Sequence, residues 1–143
     1  MFPLSTECGP RRRILFLGGR FFEFEDVSVD TSGCRGVSIV ERGAGLRRAV
    51  VVYGHDVRWM VARMRFALQD PGNFQFLGRL IGGSRIVAVW VRSEEGGGSS
   101  FQIVVTAGKR RDQIYIPMSD FGDGWEGVAL VLEGFGLHTG GPM

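Results

Sequence analysis

Apolar residues recur in short runs separated by glycine-rich turns in the first half of the chain. The runs Ile14–Leu17 and Arg20–Val27 flank Gly18-Gly19, a pair typical of a tight hairpin turn. Two further runs, Gly36–Arg42 and Ala49–Tyr53, are rich in residues that favour strands. The pattern predicts four antiparallel strands, the third and fourth joined by a glycine-containing turn.

An amphipathic helix is predicted after the fourth strand. Asp56 is expected to cap its amino end, and Pro71-Gly72 to end it. Its apolar residues recur three and four positions apart, which places them on one face of a helix. They are Val57, Met60, Val61, Met64 and Leu68.

The second half of the chain repeats this order. Strands are predicted at Phe74–Leu77, with an extension to Ile81 left open, and at Arg85–Arg92, Phe101–Thr106 and Gln113–Pro117. A second helix opens at Asp123, with Glu126 at capping-box spacing. Its apolar face is expected to contain Trp125, Val128, Ala129 and Leu132. Both halves therefore have the order ββββα.

The repeated order indicates an internal duplication. We expect tails at 1–12 and 138–143, a first repeat at 13–72 and a second at 73–137. Trp59 and Trp125 are taken as corresponding residues of the two helices. An antiparallel sheet with one apolar face is thinly covered by a single helix, so the halves are expected to pack together. The predicted class is α+β: two four-stranded antiparallel sheets with one helix each, intertwined around a pseudo-two-fold axis into one domain.

Composition indicates a globular protein without a membrane span. The chain is 44% hydrophobic and 22% charged, with a net charge of +2, too small by itself to indicate a polyanionic partner. Apolar stretches are far shorter than the roughly 20 residues of a membrane helix. The first ten residues lack the apolar core of a secretory signal. An intracellular location, nucleus or cytoplasm rather than outside the cell, is therefore expected, with an organelle left open.

Cysteine and lysine are both scarce. Cys8 and Cys34 form no CxxC motif, which argues against a disulfide framework or a cysteine-rich zinc site. Lys109 is the only lysine, so the other basic residues are arginines. Arginine suits planar recognition of phosphates or bases. A GC-rich genome explains the same bias equally well.

Two segments resemble a known family of nucleic-acid-binding proteins. The segments RGVSIVERGAGLRRAVVV (Arg35–Val52) and QIYIPMSDFGDGW (Gln113–Trp125) resemble the PUR repeat of the Pur-alpha family. The resemblance extends over about 14–137, in order and hydrophobic pattern. It implies two intertwined repeats that bind single-stranded DNA or RNA, in an architecture related to the Whirly proteins. Where the family's third strand has Arg then Phe, this chain has Arg35-Gly36 and Ser100-Phe101.

One face of the second sheet is a candidate stacking surface. Strand periodicity turns Phe22 and Phe24, like Val87 and Val89, toward the helix. Trp90 then lies on the opposite face, with Arg92, Gln102 and Tyr115. An aromatic beside arginine on a sheet can stack bases. The alternative is that Trp90 packs against the helix of the other half.

Basic residues cluster at the predicted turn between the third and fourth strands of each half. Arg47-Arg48 and Lys109-Arg110-Arg111 occupy this place and could track a phosphate backbone, or be solvated hairpin tips. Glu23, Glu25 and Asp26 argue against the outer face of the first sheet as a binding surface. The candidate binding residues are Arg20, Phe21, Arg35, Arg42, Arg47, Arg48, Trp90, Arg92, Phe101, Gln102, Lys109, Arg110, Arg111 and Tyr115.

The sequence gives catalysis little support. His55 and His138 have no second ligand at metal spacing, and neither a GxSxG motif nor a P-loop occurs. We expect no enzyme activity, cofactor, metal or membrane partner, and a monomer in which the repeats complete each other. The expected function is binding of single-stranded DNA or RNA through sheet-face aromatics and arginine-bearing turns. The alternative is a PUR-like scaffold that has lost this binding and mediates protein–protein interaction.

Overall fold

Eight strands and two helices make up the computed structural model, which describes residues 12–27, 35–69, 75–93, 98–118 and 123–135. In the first half these are β1 (Arg12–Leu17), β2 (Arg20–Val27), β3 (Gly36–Gly43), β4 (Leu46–Tyr53) and α1 (Gly54–Ala67). In the second half they are β5 (Gln75–Gly82), β6 (Arg85–Ser93), β7 (Ser99–Ala107), β8 (Arg110–Pro117) and α2 (Asp123–Gly134). Of the predicted tail 1–12, residues 1–11 lie outside the described residues, and Arg12 is the first residue of β1. The predicted tail 138–143 and Pro71-Gly72, predicted to end the first helix, also lie outside them.

The strands form two antiparallel sheets in chain order, β1-β2-β3-β4 and β5-β6-β7-β8, called sheet A and sheet B below. A helix follows each sheet. The predicted α+β fold of two ββββα halves is therefore confirmed. The described helices, of 14 and 12 residues, are too short to cross a bilayer.

The core lies between the sheets and the helices. Phe22 and Phe24 of β2, like Val87 and Val89 of β6, are buried there, as their alternation predicts. The helices contribute every third or fourth residue: Val57, Met60, Val61 and Met64 from α1, and Trp125, Val128, Ala129 and Leu132 from α2. The face of each sheet that points into this core is its inner face, and the opposite one its outer face.

Two arginines at equivalent positions form hydrogen bonds between the halves. Arg20, the first residue of β2, donates to the Tyr115 carbonyl oxygen of β8 at 3.4 Å. Arg85, the first residue of β6, donates to the Val51 carbonyl oxygen of β4 at 2.7 Å. Tyr115 and Val51 occupy matching positions in the last strand of each sheet. Each half therefore donates one arginine hydrogen bond to the matching backbone position of the other half.

The helices also cross between the halves. Helix α1 packs against β5 and β6 as well as its own β4, and α2 packs against β1 as well as β8. Arg65 of α1 joins the helices through Glu126 and Glu133 of α2, at 3.0 and 2.7 Å. Each repeat therefore covers apolar surface of the other.

The predicted correspondence of Trp59 and Trp125 is wrong. Trp125 is fully buried and donates its indole N–H to the Ile116 carbonyl oxygen at 2.8 Å. Trp59 is half-buried and lies beside Gly78. In the pattern of buried helix positions, Val57 holds the place in α1 that Trp125 holds in α2. The evidence for an internal duplication is the repeated order of elements and the matching contacts of Arg20 and Arg85. The two tryptophans do not contribute to it.

The first helix begins earlier than predicted. It starts at Gly54, so Asp56 lies inside the first turn rather than before it. The Asp56 carboxylate accepts from the Tyr53 backbone N–H at 2.9 Å and from Arg85 at 2.9 Å. It still caps the helix, from a position three residues into it. In α2, the carboxylate of Glu126 binds Arg65.

Candidate nucleic-acid interface

A single row of side chains crosses all four strands of sheet B. Phe76 pairs with Trp90, Trp90 with Gln102, and Gln102 with Tyr115 in the strand register. Because neighbouring strands lie about 4.8 Å apart, the row is about 14 Å long. It lies on the outer face, since Val89 and Val91 beside Trp90 point into the core. We call these four residues the stacking row.

Aromatic rings dominate one end of the stacking row. The Phe76 and Trp90 ring centroids are 5.1 Å apart with the planes tilted by 51°, and Phe76 is 53% exposed. The Arg92 guanidinium lies 5.0 Å from the Trp90 ring centroid. Trp90 thus packs on the outer face, contacting Phe76 and Arg92, and the alternative that it packs against the helix of the other half is wrong. Aromatic and guanidinium planes of this kind are the groups on which unpaired bases stack.

The other end of the row is a hydrogen-bonded network centred on Gln102. Its Oε1 accepts from Arg92 Nε at 2.7 Å. Its Nε2 donates to Gln113 Oε1 at 2.9 Å and to the Tyr115 hydroxyl at 3.0 Å. Gln102 itself is buried, so its contribution is to fix the orientation of its three neighbours.

An arginine-lined groove lies between β4 and β8, next to this network. Arg47, Arg48, Arg110 and Arg111 line it, together with Gln113 and Asp112, and its volume is about 330 Å³. A neighbouring cavity of about 260 Å³ shares Arg110 and continues past β4 to Arg85. Within the described part of the chain, Arg47 and Arg111 have no ion-pair partner. The two basic clusters of the sequence therefore meet in one basic groove.

The predicted position of these arginines in turns is wrong. The turns contain only Ala44-Gly45 and Gly108-Lys109, so Arg47 and Arg48 lie on β4, and Arg110 and Arg111 on β8. Both residues of the first turn have positive φ, 45° and 82°, which suits a two-residue hairpin. As a result β4 begins at Leu46, three residues earlier than predicted. Strand geometry holds the arginines at fixed spacing along the groove.

A buried carboxylate connects the groove to the stacking row. Glu41 is 0% exposed and accepts from Arg20 at 2.7 Å, from Arg48 at 3.0 and 3.2 Å, and from the Tyr115 backbone N–H at 2.9 Å. The same Arg48 guanidinium lies 4.7 Å from the Tyr115 ring centroid. Glu41 thus joins sheet A to β8, the edge strand of sheet B, and holds Arg48 against an aromatic of the row.

Sheet A carries a smaller aromatic and basic patch on its outer face. Phe16 is 76% exposed and lies 5.7 Å from the Phe21 ring centroid. Glu23 accepts from Arg42 at 2.6 Å and also from Arg12. These hydrogen bonds, that from Arg42 foremost, hold the pKa of Glu23 below its ordinary value. Paired with two arginines, Glu23 is a weaker obstacle to an anion than the sequence indicates.

Besides Arg92, six of the predicted binding residues lie outside the stacking row and the basic groove. Two of them, Phe21 and Arg42, belong to the patch on the outer face of sheet A. Phe101 is 0% exposed and packs edge-on against Trp125, so it is a core residue and leaves the candidate set. Arg20 braces β8. Arg35 is exposed and lies 3.5 Å from Asp26. Lys109 is exposed in the turn before β8.

Comparisons with known proteins add a distant structural likeness. No protein-family model matches the chain. No curated protein matches it either. Among solved structures it is similar to the plant transcriptional regulator PBF-2, with a TM-score of 0.41 and 13% identity over 94% of this chain and 86% of that one. A likeness this distant carries no argument about function, which rests on the residues above.

Three residues of the site escaped the sequence analysis. Phe76 lies before a bulge, because the register shifts between Phe76 and Gly78, and the bulge reverses the alternation of β5. Gln113 lies two residues before Tyr115 on β8, so both side chains lie on the same face of the sheet. The alternation of side chains along the strand could therefore have identified Gln113. Glu41 binds partners up to 74 residues away, which no local pattern indicates.

Proposed function

We propose that this protein binds single-stranded nucleic acid, with bases stacked along the outer face of sheet B and phosphates in the basic groove. The observation that carries the proposal is the stacking row, a set of three aromatics and one glutamine in register across four strands. Four-stranded sheets that stack two or three bases on aromatic side chains are a recurrent solution for unpaired strands. A duplex keeps its bases stacked inside and cannot use such a row.

The basic groove supplies the electrostatic part of the binding. It continues directly from the stacking row, because Arg48 and Gln113 line the groove and also contact residues of the row. Arg48 packs on the Tyr115 ring, and Gln113 accepts a hydrogen bond from Gln102. Stacking is sequence-tolerant, whereas the arginines neutralise phosphates. We propose no catalytic step. The resemblance of Arg35–Val52 and Gln113–Trp125 to the PUR repeat agrees with this proposal in the type of ligand.

Salt dependence of oligonucleotide binding tests the groove. With about four phosphates neutralised, the affinity for a labelled single strand is expected to fall with salt at a logarithmic slope of about −3. Arg47→Ala combined with Arg111→Ala makes this slope shallower by about 1.4, because two phosphate contacts are lost. Fluorescence anisotropy at several salt concentrations measures both slopes.

The matched control removes two arginines elsewhere. Arg58→Ala with Arg63→Ala makes the same change in net charge on α1, outside the groove, and leaves the slope unchanged. If both double variants alter the slope equally, binding depends on overall charge and the groove assignment fails. If the wild-type protein binds no single strand even at low salt, the proposed function itself fails.

A protein-interaction scaffold is the second candidate. It is favoured by the exposed apolar residues of β1, Ile14 at 46% and Phe16 at 76%, on the outer face of sheet A. Contiguous exposed apolar surface of this kind marks interaction sites. This function predicts no oligonucleotide binding and loss of partner binding on Phe16→Ser.

A further inference from the structure

We infer that the binding face selects bases with a carbonyl oxygen at C4 of a pyrimidine or C6 of a purine, which are uracil, thymine and guanine. It disfavours cytosine and adenine, which carry an amino group at that position. This inference rests on the proposed function and adds the chemical class of base that the site accepts. It is carried by the hydrogen-bond polarity of the network around Gln102.

Arg92 fixes the direction of every bond in that network. A guanidinium has only donors, so the Gln102 atom facing Arg92 Nε at 2.7 Å must be the carbonyl oxygen. The Gln102 amide nitrogen is then forced toward Gln113 and Tyr115, to which it donates at 2.9 and 3.0 Å. Reversing this amide would set donor against donor. The orientation follows from the chemistry of arginine.

The consequence reaches the ligand side of the network. Gln113 uses its carbonyl oxygen to accept from Gln102, which leaves its amide N–H groups for a ligand. The Tyr115 hydroxyl accepts from the same nitrogen, which leaves its own hydrogen to donate. Within the described residues, neither of these donors has another partner. Gln113 also lines the basic groove, where a ligand can reach it.

A surface that offers donors favours a base that offers acceptors. At one ring position uracil and thymine have an oxygen where cytosine has an amino group, and guanine and adenine differ in the same way. A carbonyl oxygen at this position accepts a hydrogen bond from Gln113 or Tyr115. An amino group there is itself a donor, so it faces the donors of Gln113 and Tyr115 and forms no hydrogen bond with them. Stacking on Trp90 and Phe76 holds the base edge at the network without selecting among bases.

Uracil and cytosine homopolymers test the inference with two bases of equal size. Labelled oligo(dU) and oligo(dC) of about twelve nucleotides, within the usual length of a single-strand site, are titrated by anisotropy at one salt concentration. We expect oligo(dU) to bind about tenfold more tightly. Equal affinity for the two overturns the inference and leaves the proposed function intact, whereas binding of neither overturns the proposed function.

Two variants change the polarity of the network. Gln113→Glu replaces the outward donors by an acceptor, so the preference shifts from uracil toward cytosine. The added negative charge weakens the binding of oligo(dU) and oligo(dC) alike. The ratio of the two affinities is therefore the quantity that tests the inference. Tyr115→Phe removes one donor and retains the ring, so the ratio falls while stacking persists.

The other tyrosine provides the matched control. Tyr53 lies on β4 with Arg85 stacked 4.7 Å from its ring centroid. It lines the cavity next to the basic groove, and not the groove itself, where Gln113 lies. Tyr53→Phe is expected to leave the uracil-to-cytosine ratio at the wild-type value. An unchanged ratio in Gln113→Glu, or an equal change in Tyr53→Phe and Tyr115→Phe, contradicts the assignment.

Discussion

Replacing Trp90 with alanine is expected to weaken binding of a single strand by about 5- to 150-fold, the range that corresponds to the loss of one stacked base. Trp90 is the centre of the stacking row, with Phe76 on one side and the Arg92 guanidinium over its ring. Its removal takes away the largest stacking surface and leaves both neighbours without their packing partner. Trp90→Phe retains a smaller ring and should recover part of the loss. Anisotropy at constant salt measures each affinity.

Two phenylalanines of almost equal exposure separate this role from general surface hydrophobicity. Phe76 in the stacking row is 53% exposed and Phe66 on α1 is 56% exposed. Phe76→Ala is expected to weaken binding further in the Trp90→Ala background, whereas Phe66→Ala should leave affinity unchanged. Equal effects of Phe76→Ala and Phe66→Ala would remove the support for a stacking surface on sheet B.

Replacing Glu41 with alanine is expected to lower the free energy of unfolding by about 3–5 kcal/mol, the usual cost of breaking a buried ion pair from one side. Three donors lose their acceptor: the guanidinium groups of Arg20 and Arg48 and the Tyr115 backbone N–H. The Tyr115 bond joins sheet A to β8 directly. Arg20 and Arg48 lie on sheet A like Glu41, and they contact the Tyr115 carbonyl oxygen and the Tyr115 ring. Glu41→Gln retains the shape and places an amide N–H against a guanidinium, so it should destabilise as well. Urea unfolding measures the change.

A surface glutamate provides the comparison for this prediction. Glu126 also binds an arginine, at 3.0 Å from Arg65, but its side chain is 43% exposed. Glu126→Gln should cost no more than about 1 kcal/mol, because water replaces the lost partner. Should the two glutamine variants unfold at the same urea concentration, the buried carboxylate is not what joins the sheets.

Strand order and sheet faces could be predicted from the sequence because they depend on local periodicity. The alternation in β6 placed Val87 and Val89 inside, and it placed Trp90 and Arg92 on the face where the structure has them. Gln102 and Tyr115 followed from the same counting on β7 and β8. The predicted cluster of three strands is therefore confirmed as a spatial neighbourhood, while its role in binding stays a prediction.

Features that depend on contacts between distant residues could not be predicted in this way. The groove forms because β4 and β8 lie side by side, so that Arg47 and Arg111, from opposite halves, line one cavity. Residue type alone pairs the two tryptophans, whereas the buried positions of a helix are set by its 3.6-residue period. On that criterion Val57, and not Trp59, corresponds to Trp125.

The indole N–H signals of the tryptophans in an NMR titration test the central claim most directly. With a single-stranded oligonucleotide added to saturation, the Trp90 signal is expected to shift strongly. The Trp125 signal should stay in place, because that indole is fully buried and donates to Ile116 in the core. A bound oligonucleotide that leaves the Trp90 signal unmoved would contradict the assignment of sheet B as the binding face.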